Sequence, residues 1–171
     1  MRLLHPSLTA AAATAALATS ACSDDVDLEG VYRVESSVAS EPCGSDLPEA
    51  DPPAFLKFTR GELLGRAFYS YAECTDAAAT DCASSGGLLE GLFEPRDDGW
   101  SGTASFASGI DGNCSLGLDE RSATLAGATI TVESHAYRQE GVDVRCDPAE
   151  AEARGRAMPC VAHEQIIATR L

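Results

Sequence analysis

The chain has 171 residues, with 27 Asp+Glu against 12 Lys+Arg, a formal net charge of −15, 44% hydrophobic residues and seven Cys. A balance this acidic argues against nucleic acid and against electrostatic adhesion to anionic lipid, because like charges repel. The hydrophobic fraction excludes a wholly disordered chain, the length suits one domain with its own core, and no apolar run reaches the ~20 residues of a membrane-spanning helix.

The first predicted element is a targeting signal over residues 1–21. Arg2 supplies the positive start, and Leu8 to Ala21 is an uncharged, Ala-rich stretch of signal-peptide length. Thr19, Ser20 and Ala21 are small and stand immediately before Cys22. This segment resembles a bacterial lipobox, which implies lipidation of Cys22 and anchoring of an exported protein to a membrane of the cell envelope. Ordinary cleavage after Ala18 or Ala21, giving a secreted soluble protein, is the alternative. Residues 22–28, with Asp24, Asp25 and Asp27, read as an acidic solvated tether, followed by a single β domain over 29–171.

Setting Cys22 aside leaves Cys43, Cys74, Cys82, Cys114, Cys146 and Cys160. An even set in an exported protein points to disulfides. Cys74 with Cys82 is the simplest pair, closing one short loop. Cys43, Cys114, Cys146 and Cys160 allow three pairings, and Cys146 can meet Cys160 only if the chain between them turns back.

The domain itself reads as all-β. Period-two alternation predicts strands near 28–38, 54–60, 62–74, 87–94, 99–107, 114–126, 128–138 and 161–170, and these spans hold all ten aromatic residues. Arg60-Gly61, Arg96-Asp97-Asp98-Gly99 and Ala126-Gly127 read as tight turns. The segments 39–53, 75–86, 108–113 and 139–160 read as longer loops. In an up-and-down antiparallel meander the tight turns share one end and the longer loops, with all six cysteines, share the other. Asp147, Pro148 and Gly155 mark a short helix over 148–154 before the last strand. Alternation alone leaves a barrel and a sandwich both open, the barrel being preferred.

Eight meandering strands, with Gly30-Val31-Tyr32 in the first of them, resemble a lipocalin or calycin-type barrel. That resemblance implies a ligand-carrying or interaction module without a cofactor, and a small apolar ligand if the aromatics Phe55, Phe58, Phe68, Tyr69, Tyr71, Phe93, Trp100 and Phe106 line a cavity rather than fill the core. The acidic loop end suits docking of a basic protein partner. A second reading is chemical. His135, His163, Glu133 and Glu164 fall near the loop end of the last two strands and have the donor types of a divalent metal site, as in a metal-dependent enzyme or metal-binding protein. No spacing singles out a catalytic residue: Gly99-Trp100-Ser101-Gly102-Thr103 misses the nucleophile-elbow pattern by one residue.

Overall fold

The computed structural model describes residues 26–44, 46–84, 92–96, 99–110, 113–141 and 145–171. The chain runs as β1 (Gly30–Ser40), β2 (Phe55–Leu63), β3 (Arg66–Cys74), β4 (Cys82–Ser84), β5 (Leu92–Arg96), β6 (Gly99–Ile110), β7 (Asn113–Ala126), β8 (Thr129–Glu140), α1 (Pro148–Arg154) and β9 (Cys160–Arg170). Every pairing is antiparallel. The order β2-β1-β9-β8-β7-β6-β5-β3, with β2 also paired to β3, closes an eight-stranded barrel, and β4 lies outside it on the edge of β3. The barrel, not the sandwich, is the architecture, and closure leaves no long open edge among the described strands.

All ten aromatic residues lie in strands, as read from the sequence. Several boundaries differ. The β2–β3 turn is Leu64-Gly65, with φ of 52° and 78°, rather than Arg60-Gly61. Gly61 sits inside β2 opposite Phe68, and a Cβ there would overlap the Phe68 ring. The glycine is therefore a platform for an aromatic neighbour, not a turn former. The loop expected over 108–113 shrinks because β6 and β7 pair out to Ile110 and Asn113. The strand expected at 87–94 is observed as β5 from Leu92, and 85–91 lie outside the described residues.

Residues 26–28 are docked onto the barrel and are not a free tether. Leu28 is fully buried, the Trp100 indole N–H donates to the Val26 carbonyl at 2.7 Å, and the Tyr69 hydroxyl donates to Asp27 Oδ1 at 2.6 Å. This segment plugs the tight-turn end. Behind it Tyr32, Leu56, Phe58, Tyr69, Phe93, Trp100, Ile130, Val132 and Ile166 fill the adjoining half of the interior. Three disulfides staple the other end: Cys43–Cys160, Cys74–Cys82 and Cys114–Cys146. Cys74–Cys82 is the pair expected. Cys146 does not meet Cys160; each ties a loop to a different partner. These bonds fit an oxidising, extracytoplasmic compartment.

The helix is where its signals put it. The Asp147 side chain accepts from the Glu150 backbone N–H, Pro148 opens the first turn, and Gly155 ends it at φ 52°. Ala151 packs with Leu116, Leu118, Tyr137 and Met158 in a second apolar cluster on the outer surface. Leu116 and Leu118 thus point away from the barrel axis and are covered by α1. That leaves the intervening inward positions of β7, Gly117, Asp119 and Arg121, free to be small or charged.

Candidate functional site

The register fixes which side chains enter the barrel. Ile130, Val132, Ile166 and Ala168 are core, so their same-face neighbours toward the loop end also point inward. On β8 these are Ser134, Ala136 and Arg138, and on β9 they are Ala162 and Glu164. Asp119 and Arg121 of β7 oppose Ala136 and Ser134, and Ala39 of β1 opposes Glu164. Phe106 apart, small and charged residues in the loop-end half replace the aromatics of the other half. Together they line a cavity of about 400 Å³, within the range of small-molecule sites.

The charges of this cavity are held in place. Arg138 Nη1 donates to Asp119 Oδ1 at 2.6 Å, and also to the carbonyls of Tyr137 and Leu118. Its guanidinium lies 4.6 Å over the ring of Phe106, which rests on Gly117, where a Cβ would overlap the ring. Arg121 lies 5.7 Å over the ring of Tyr71, at the boundary with the aromatic core. The Ser37 hydroxyl donates to Glu164 Oε1 at 3.4 Å. Burial, and then the negative charge of Glu73, push the Glu164 carboxyl above its usual range, against the Ser37 bond and the Arg121 charge.

Three of the four proposed metal-site residues come together, on the opposite side of the wall. His135 and His163 are direct cross-strand partners, and their rings stack at 4.2 Å with planes 10° apart. Glu133 shares their outward face, with His163 Nε2 and Glu133 Oε1 3.1 Å apart. Glu164 does not join them. It neighbours His163 in sequence, so strand alternation turns it into the barrel. Burial, and then the charge of His163, hold the His135 imidazole below its usual range, opposed by Glu133 and Glu120. Tyr137 stacks beside His135, with ring centroids 6.2 Å apart. Arg156 crosses from the segment after α1 to Glu120 at 2.7 Å.

The six domain cysteines are all consumed in disulfides, and Cys22 lies outside the described residues. The inward polar set of Asp119, Arg121 and Arg138 was not anticipated. Its signal is the alternation Gly117, Asp119, Arg121 in β7, which reads as an outer face until α1 is seen to cover the leucines between. Five of the aromatics pack as core, Phe58 against Tyr71 and Phe93 and Tyr69 against Trp100, whereas Phe55 and Phe68 are half-buried outside it and Phe106 is exposed beneath Arg138. The five core aromatics fill the tight end, and the lining of the cavity is largely polar. Among the described residues no helix is long and apolar enough to cross a membrane. Comparison of the chain with protein-family models, curated proteins and solved structures finds no match.

Proposed function

We propose that this protein is an exported, lipid-anchored envelope barrel that binds a small polar molecule in its loop-end half, in the manner of a lipocalin-type carrier. The observation that carries the reading is the division of the barrel interior. One half is packed with aromatic and aliphatic side chains, while the other is a cavity of about 400 Å³ lined by Asp119, Arg121, Arg138, Ser134 and Glu164 among alanines, with Ser40, Glu41, Glu120, His135 and His163 at its border. A protein whose interior served only stability would gain by filling that half with apolar side chains. Fixed charges of both signs suit a ligand with its own charged and hydrogen-bonding groups, and they disfavour the apolar ligand that the aromatic content first suggests. The lipobox-like segment ending at Cys22, and an even number of cysteines beyond it, support export and anchoring. Val26 docks at the tight-turn end, so a lipid on Cys22 would hold that end to the membrane and turn the cavity mouth outward.

The test is native mass spectrometry of untagged residues 23–171, produced in an oxidising periplasm and then incubated with a panel of charged and polar metabolites. A stoichiometric adduct is expected, and it is expected to disappear in Ala162→Phe, which fills the cavity from β9. A bare mass across the panel overturns carriage. Separately, the full chain is expected in the membrane fraction and Cys22→Ala in the soluble fraction. A soluble wild-type protein overturns anchoring.

A further inference from the structure

We infer that Glu133, His135 and His163 form a binding site for a divalent transition-metal ion of the zinc class on the outer wall of the barrel, with Glu120 positioned to join as a fourth ligand. The ligand side chains stand on the opposite face of the strands from Glu164, although Glu120, His135 and His163 also border the interior cavity.

The backbone makes the arrangement. His135 and His163 are register partners on β8 and β9, and Glu120 on β7 is the partner of His135 on its other side. Three adjacent strands of a closed barrel therefore present four donor side chains on one face, from positions that cannot slip without shifting the whole register. One ligand atom each from Glu133, His135 and His163 lies within 4.8 Å of the other two. A tetrahedral ion with bonds of about 2.0–2.1 Å holds neighbouring ligand atoms about 3.3–3.4 Å apart. His163 Nε2 and Glu133 Oε1, at 3.1 Å, are already near that spacing. The His135 ring, stacked on His163 at 4.2 Å, must turn before its in-plane nitrogen can share that ion.

The surroundings add two features. His163 is only 14% exposed and Glu133 40% exposed, so the imidazole is held while the carboxylate can adjust to an ion. The face is also concave: a groove of about 510 Å³ runs past Glu133 and His135 between Glu120, Tyr137, Arg96 and Arg156, leaving room for the ion and a further ligand. Arg156 occupies Glu120 and must release it for a fourth protein bond to form. Donors of two imidazoles and a carboxylate suit zinc, nickel or copper better than calcium or magnesium.

The test uses Zn²⁺ alone with untagged, fully oxidised residues 23–171, whose cysteines are blocked by their disulfides. This span keeps only His135 and His163 of the three histidines in the chain, so ring NMR signals report on the site without ambiguity. Calorimetry is expected to give one ion per chain, and Zn²⁺ is expected to shift both histidine ring signals together. His135→Ala and Glu133→Gln are each expected to weaken binding at least tenfold, and Glu120→Gln several-fold, with near-ultraviolet circular dichroism verifying the fold. Absence of stoichiometric binding overturns the site. So does binding that leaves the two ring signals unmoved, or binding that survives His135→Ala at full strength, either of which assigns the ion to other carboxylates.

Discussion

Arg170 of β9 and Tyr32 of β1 lock the tight end of the barrel together: Arg170 Nε and Nη2 donate to the Tyr32 hydroxyl at 3.0 and 2.7 Å. The guanidinium carbon stands 5.3 Å from the ring centroid. The same hydroxyl donates onward to the Leu28 carbonyl at 2.9 Å, so one fully buried phenol ties the last strand, the first strand and the leader. Hydrogen bonds to a charged donor are worth about 1.5–3 kcal/mol when removal strands a partner. Tyr32→Phe is expected to cost about 1–2 kcal/mol and Arg170→Ala about 2–3 kcal/mol in urea unfolding. The double variant is expected to cost less than the sum, since both changes break the same bonds. Full additivity would show the two residues to act apart.

The disulfides differ in how much chain they close. Sequence separations are 117 for Cys43–Cys160, 32 for Cys114–Cys146 and 8 for Cys74–Cys82. Loop-closure entropy gives about 5, about 4 and about 2.5 kcal/mol respectively. Paired Ala variants are therefore expected to fall in the order Cys43/Cys160, then Cys114/Cys146, then Cys74/Cys82, the last losing least. Melting temperatures of the three variants check the order. A reversed order would place the stabilisation in local packing rather than in the unfolded chain.

The general form of the domain was legible because period-two alternation and turn residues are local signals. Helix α1 was legible to the residue for the same reason, since Asp147, Pro148 and Gly155 act within one turn. The phase of β7 was not legible. Leu116 and Leu118 look inward in any strand considered alone, and only the packing of α1 reverses that. The polar cavity was missed with them. The outer cluster was half legible: two histidines and Glu133 on one face follow from alternation, whereas Glu164 follows from sequence proximity and ends on the other face. The turn at Leu64-Gly65 was missed because Gly61 is a commoner signal for a turn than for an aromatic platform.

Asp27 and Tyr69 make the docking of the leader depend on pH at both extremes. The Tyr69 hydroxyl and then the Glu29 backbone N–H hold the Asp27 carboxyl below its usual value of 3.8. Its contribution is present above 3.8 and is lost as pH falls through the lowered value. Burial first, and then the bond to Asp27, push the Tyr69 phenol up from 10.0 to about 12. That contribution is present below pH 10 and fades as pH rises toward 12. Tyr69→Phe is expected to flatten both limbs of the curve of melting temperature against pH. An unchanged alkaline limb would mean that a different tyrosine controls it.

Glu164 carries the strongest link between stability and the proposed cavity. Its carboxyl is raised from 4.5 by burial and by Glu73, so the folded state holds its proton more tightly than the unfolded state does. That stabilising contribution is complete below 4.5 and is lost as pH rises through the elevated value, above which the carboxylate is desolvated. Glu164→Gln keeps an acceptor for the Ser37 hydroxyl and removes the charge. The variant is expected to melt higher than wild type once the pH exceeds the elevated Glu164 value. It is also expected to show a flatter dependence of stability on pH above 4.5. If Glu164 is retained to meet a positive group on the ligand, the same variant should bind that ligand at least tenfold more weakly while being the more stable protein. A gain in stability with unaltered ligand affinity would place Glu164 outside the binding contacts. A loss of stability would show that the carboxylate is compensated inside the barrel more fully than Arg121 and Ser37 alone account for.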